Sequence, residues 1–314
     1  MIAQVFPSSV LIREVGPREG FQILPRFFET EQKIKLIHAL VDAGLSEIEV
    51  TAFVRPDRVP SMADAEALVA ALPRDVRTSF SALYLNSKGF HRAEVSGALR
   101  NKGWLYSSPS ESFLRSNNNT TMDEALASVP TWCDEFHRAG KRVHGLMVST
   151  AFGCGFEGII RPEAVLRLVE RYREALATKG ESLSEICLAD TVGVGHPNSV
   201  RACIQLLRPL GIPISLHLHN TWGLGVTNVY AGLCEGVSIF ETSIGGLGGC
   251  PFTPGASGNV ATEDVVYLCH ALGVTTGLDL EKLCRAAELA ETIVGTSLSS
   301  GVYKAWRLSG KKMS

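Results

Sequence analysis

No run of apolar residues in the 314-residue chain reaches the roughly 18 needed to cross a bilayer as a helix, so no transmembrane helix is expected. An excess of base is also missing. The 30 lysines and arginines face 32 aspartates and glutamates, the net charge is -2, and no basic stripe is available for a phosphate backbone, so nucleic acid is not an expected partner. Eight cysteines are present without a CxxC pair or a compact framework, which excludes the usual zinc-ribbon and disulfide-scaffold patterns. They are read as reduced thiols, mostly small core residues, in a cytoplasmic enzyme. The opening "MIAQVFPSSV" carries neither a basic, apolar-cored leader nor an Arg-rich amphipathic one, and no targeting segment is expected. No Pro/Ser linker or low-complexity stretch interrupts the chain, so residues 1–314 are expected to form a single domain.

A large core is affordable, since 45% of the residues are hydrophobic and 20% charged. Short β-branched runs at 9–15, 47–53, 78–84, 103–107, 142–149, 185–190, 213–219 and 239–244 alternate with segments of helical period at 30–44, 63–72, 122–139, 162–178, 197–208, 224–235 and 260–272. In the first helical segment Thr30 is expected to cap, Ile34, Ile37, Leu40 and Val41 form the apolar stripe, and Gly44 supplies a left-handed stop. Eight β-then-α units predict an α/β (β/α)8 TIM barrel over about 9–272, followed by an additional C-terminal helix at about 278–300. A doubly wound sheet is the alternative, weakened because no GxGxxG follows the first strand.

In such a barrel the chemistry collects where strands end and βα loops begin. Arg18 and Glu19 stand just past the first strand, Glu49 lies inside the second, Asp190 ends the sixth, and His217 and His219 end the seventh. Side chains two apart on a strand share a face, so the two imidazoles of "SLHLHNTWG" look in one direction, which is a chelating geometry. Beyond the eighth strand, "GGLGGCPFTPGASGN" holds six glycines, Cys250 and Asn259; read blandly, it is a connecting turn with Asn259 as a helix cap and Cys250 as a buried thiol. Two imidazoles, a carboxylate and an amide oxygen make a mixed N/O set able to hold a divalent cation. Arg18 is suited to charge developing on a carbonyl oxygen, and Glu49, costly inside a barrel unless paired, is its natural partner. Asp190 is either a participant or a residue that orients its neighbours.

The runs "EVGPREGFQ", "IEVTAFV", "HLHNTWG" and "GGLGGCPFTPGASGNVATEDVVY" together resemble the 3-hydroxy-3-methylglutaryl-CoA lyase family of metal-dependent acyl-CoA lyases, over nearly the whole chain. The glycine-rich run is specific to that family; the Arg-acid and HxH motifs are shared with condensing synthases of the same barrel superfamily. The resemblance implies Mg2+ or Mn2+ held by Glu19, His217, His219 and Asn259, Arg18 facing the thioester oxygen, Glu49 in its hydrogen-bond network, and Cys250 on a loop closing over an acyl-CoA. It implies cleavage of a 3-hydroxyacyl-CoA to an acyl-CoA and a keto acid, in a protein expected to be a homodimer. A Claisen-type acyltransferase and a catalytically silent CoA-ester-binding barrel are the alternatives.

Three departures stand beside this proposed centre. Glu19 replaces the family's aspartate, Asn220 and Trp222 replace its aspartate and tyrosine, and Ile23-Leu24-Pro25 replaces Asn-Glu-Lys. The last change removes polar partners for a substrate anion and, with Phe27 and Phe28 close by, suits a bulkier or more apolar acyl group. Phe27 and Phe28 are equally readable as packing at the barrel rim.

Overall fold

The computed structural model describes residues 6–24, 26–74, 76–250 and 253–311, with only the backbone course given for 250 and 253–257. Eight principal strands run at Leu11–Glu14 (β1), Glu47–Ala52 (β2), Ser79–Leu83 (β3), Gly103–Ser107 (β4), Val143–Val148 (β5), Glu185–Ala189 (β6), Ile214–His217 (β7) and Ile239–Thr242 (β8). Each falls inside a range expected from the sequence. The main helices are Thr30–Asp42 (α1), Ala65–Ala70 (α2), Ser87–Val95 (α3), Met122–Ala127 (α4), Val129–Arg138 (α5), Pro162–Ala177 (α6), Pro197–Leu207 (α7), Gly225–Cys234 (α8), Thr262–Ala271 (α9), Leu280–Val294 (α10) and Gly301–Leu308 (α11).

The chain divides into two compact units. One holds Ser8–Asn101, Phe240–Gly249 and Pro254–Ser314, with strands in the order β3-β2-β1-β8. Strands β1, β2 and β3 are parallel, and a bulge between Glu49 and Thr51 shifts the register of β2 on β3, a device that re-aims a side chain. The other unit is built on Lys102–Ile239 and orders its strands β7-β6-β5-β4, all parallel. Strands of a parallel sheet covered by helices are buried on both faces, which is why β6 is buried along its whole length.

In helix α1 the expected stripe holds at Ile37 and Leu40, while Leu36 takes the fully buried place and Ile34 and Val41 are only half-buried. Leu36, Ile37 and Leu40 are fully buried where α1 packs on α10, each contributing about 1.5–3 kcal/mol by leaving water. Gly44 ends the turn at φ 99°, a conformation that strains any residue with a Cβ. The cap is Glu29 and not Thr30: Glu29 and Gln32 form a reciprocal capping box, while Thr30 begins the helix and its hydroxyl donates to Asp64 at 2.8 Å. One further expectation is corrected and one is extended. The segment 122–139 is two helices separated at Ser128, because Pro130 favours a fresh first turn, and the C-terminal segment carries a second helix, α11, after α10. Among the described residues no helix is long and apolar enough to cross a membrane.

Candidate active site

In the first unit the chain leaves β1 through a single π-helical turn, Gly16–Gly20, which presents Arg18 and Glu19. Such turns are rare and favour functional positions. The turn is anchored from beneath by Glu14, whose Oε1 accepts from the backbone of Gly16 (2.7 Å) and Ile244 (2.9 Å) and whose Oε2 accepts from the Thr262 hydroxyl (2.6 Å). Glu14 thus ties the segment after β1 to the segment after β8. Its carboxyl is fully buried, and burial pushes its pKa up to about 7 against the pull of these three donors.

Arg18 is buried and donates through Nε to Glu49, while its terminal nitrogen lies 3.1 Å from Glu19. Burial opposes its charge, but Glu49, Glu19 and Glu241 outweigh that cost and hold the guanidinium well above its ordinary pKa. Burial raises Glu49, and the neighbouring Glu241 and Glu19 raise it further, against the pull of Arg18. One guanidinium therefore faces three carboxylates, an excess of negative charge suited to a bound cation.

Asn259 belongs to the same unit. Its Nδ2 donates to the Leu247 carbonyl at 3.1 Å, and its Oδ1 is buried without a hydrogen-bond partner among the described residues. An orphaned carbonyl oxygen of this kind is a ligand in search of a cation or donor. Asn259 does not cap α9, whose cap residue is Ala261. Of the six glycines expected to relax this segment, Gly245, Gly246 and Gly248 adopt positive φ (64°, 71° and 130°). Gly248 has a further reason to lack a Cβ, which would lie 2.5 Å from Nδ2 of Asn259. The side chain of Cys250 lies outside the described residues; its backbone forms a short strand, Gly249–Cys250, paired with Thr253–Ser257.

In the second unit His217 closes β7 and His219 follows two residues on, with Leu216 and Leu218 buried at the alternate positions. The imidazoles are 5% and 3% exposed and their Nε2 atoms are 3.3 Å apart, a span that two metal bonds of about 2.1 Å can bridge. Asp190 follows β6 directly; its amide donates to the His217 carbonyl at 2.8 Å and its carboxylate accepts from Gly195. Burial raises the Asp190 pKa, and the Gly195 amide and both histidines oppose that rise.

Glu19 in the first unit, and His217 and His219 in the second, each offer an atom able to ligate a metal. The donor chemistry, the surplus of carboxylate around Arg18 and the orphaned oxygen of Asn259 all fit a hard or borderline divalent cation. Glu14, Glu241 and Thr262 were not singled out from the sequence. The signal was there for Glu241, a carboxylate inside a strand like Glu49, whereas Glu14 acquires its meaning from partners 230 and 248 positions away.

The model of the HMGL-like family matches residues 9–290. The hydroxymethylglutaryl-CoA lyase of Pseudomonas mevalonii is 38% identical over 92% of this chain and 94% of its own length. A solved HMG-CoA lyase of Bacillus subtilis superposes with TM-score 0.88 at 35% identity, covering 96% of this chain and 99% of that one. An HMG-CoA lyase of Acinetobacter baumannii, solved with coenzyme A and 3-methylmalate, gives 0.86 at 36% identity, covering 96% of each. The strand-helix alternation thus belongs to a (β/α)8 TIM barrel with additional C-terminal helices, and this chain is an enzyme of the HMGL-like family.

Proposed function

We propose that the chain is a single-domain, metal-dependent carbon–carbon lyase that cleaves a 3-hydroxyacyl-CoA, 3-hydroxy-3-methylglutaryl-CoA or a close relative, to acetyl-CoA and a keto acid such as acetoacetate. The observations that support this most are the paired imidazoles of His217 and His219, with Nε2 atoms 3.3 Å apart, and Arg18 held against the Glu19 carboxylate. The family likeness carries the same sense, since the curated relatives are named for this reaction.

Glu19, His217, His219 and Asn259 would hold the cation, Mg2+ or Mn2+, which when bound polarises the oxygens of the substrate. The 3-hydroxyl proton passes to a nearby base, the C2–C3 bond breaks, and its electrons move onto the thioester as an enolate. Arg18, kept charged by Glu49 and Glu19, donates to the oxygen on which that charge develops, and so contributes most where the charge is greatest. Asp190, buried beside the histidines, orients them and is a candidate base, and Cys250 is the candidate acid that returns a proton to C2. We place the enzyme in the cytoplasm as a homodimer; the seven described cysteines, all free thiols, support a reducing compartment.

The test is a purified-protein assay of acetyl-CoA and keto acid release from 3-hydroxy-3-methylglutaryl-CoA, with and without chelator, alongside His217→Ala. A chelator-sensitive reaction is expected. Loss of one ligand should lower metal content and reduce activity by more than about a hundredfold, since even outer-shell changes cost 10- to 100-fold. Absence of cleavage with cation supplied, or unchanged metal content in the variant, would refute the reading.

A further inference from the structure

The described residues that follow Glu19 expose two large apolar side chains. Ile23 is 46% exposed and Phe27 44% exposed, whereas Phe28 turns inward and packs on Phe21 with ring centroids 4.9 Å apart. Arg26 donates to the carbonyls of Ile293 and Val294 at 3.0 and 2.9 Å and lies over the Phe28 ring, which pins one side. Lys33 pins the other. Its buried ammonium donates to the Ser61 carbonyl and to Asp64, and sits 5.1 Å from the centroid of the Phe27 ring, while the Ser61 hydroxyl donates to the Gln22 carbonyl. The cations of Arg26 and Lys33 are therefore committed to the protein, and Ile23 and Phe27 are the large apolar side chains that the segment leaves exposed.

Ile23 also reaches the glycine-rich segment of the same unit. Its Cδ1 lies against Gly249, where an added Cβ would be only 2.4 Å away, and Gly249 is the residue before Cys250. One isoleucine thus spans from the segment carrying Arg18 and Glu19 to the glycine-rich segment carrying Cys250.

We infer that Ile23 is a specificity-determining residue which, with Phe27, forms an apolar wall for the alkyl substituent on C3 of the acyl chain, so that esters with an alkyl group longer than methyl are preferred. This inference rests on the lyase reading above. The reaction is the same for every ester: the C2–C3 bond breaks, its electron pair goes to C2, the hydroxyl proton leaves to the enzyme, and a proton is returned to C2.

The experiment compares kcat/KM of the metal-loaded, full-length enzyme for CoA esters of 3-hydroxy-3-methyl-, 3-ethyl-, 3-propyl- and 3-butylglutarate. With the wild type, kcat/KM is expected to rise by up to about fourfold for each methylene buried. Ile23→Asn should flatten that series, read as the ratio of each ester to the methyl ester, and Phe27→Asn should reduce the slope. Val95→Asn, at an 81% exposed position on α3, should preserve it. A flat or falling series in the wild type, or an undiminished slope in Ile23→Asn, overturns the assignment while leaving the lyase reading intact. No cleavage of any ester would remove both.

Discussion

Replacing Glu14 by glutamine should abolish a pH dependence of stability that the wild-type chain carries. The carboxyl is buried beneath the π-helical turn and its pKa is pushed up from 4.5 to about 7, chiefly by burial, with its three donors opposing the shift. A raised pKa means that the folded chain keeps a proton that the unfolded chain gives up. Below about pH 4.5 both states are protonated and the contribution is fully present; between there and about pH 7 only the folded state holds the proton, and stability falls as pH rises. The slope approaches about 1.4 kcal/mol per pH unit, so a shift of about 2.5 units is equivalent to about 3 kcal/mol in all. Glutamine keeps the shape and an acceptor oxygen for the Gly16 and Ile244 amides but binds no proton in this range. Urea unfolding of the metal-free proteins at pH 5 and pH 8 isolates the effect, because every other titrating group is shared. The stability of the wild type relative to Glu14→Gln should drop by about 2 to 3 kcal/mol between the two conditions. Parallel pH profiles, or a wild-type advantage that grows with pH, would refute the placement of a neutral acid there.

Arg18→Lys should lower kcat by about 10²- to 10³-fold with metal content unchanged, because a point-like ammonium cannot keep the planar contacts to Glu49 and Glu19 while facing a developing oxyanion. Steady-state kinetics within tenfold of wild type would remove Arg18 from the chemistry. Burial pushes the Cys203 and Cys284 thiols up to about 12 and that of Cys269 up to about 11, so at pH 8 these three should resist an aromatic disulfide reagent until denaturant is added. Their rapid labelling in the native protein, read by peptide mapping, would contradict the burial.

The eight strands were legible because buried parallel strands are nearly continuous apolar runs, and the pairing of His217 with His219 was legible because strand side chains repeat every two residues. Helix α3 was not. It is short, is capped by Asn86, and carries Gly89 inside it, a residue that reads as a breaker but is required there because an added Cβ would lie 2.4 Å from the Phe53 carbonyl. The partition of 122–139 turned on Pro130, which marks a helix start as readily as a kink. Within the candidate site, Arg18, Glu19 and Glu49 announced themselves as charge near or inside strands, and the structure joins them. Glu14, at the end of β1, carried the same signal of charge within a strand, but its anchoring role depends on the amides of Gly16 and Ile244 and the hydroxyl of Thr262, two of which are more than 200 positions away.

The amide of Asn259 cannot be rotated end for end without turning its oxygen toward the Leu247 carbonyl, so one hydrogen bond keeps its neutral, buried oxygen turned away from that carbonyl. Aspartate there, though nearly isosteric, would set an anion against that carbonyl. The proposed donor set consequently keeps a single formal negative charge, on Glu19, and a dication seated in it would retain half of its own charge for drawing electrons out of whatever oxygen it meets.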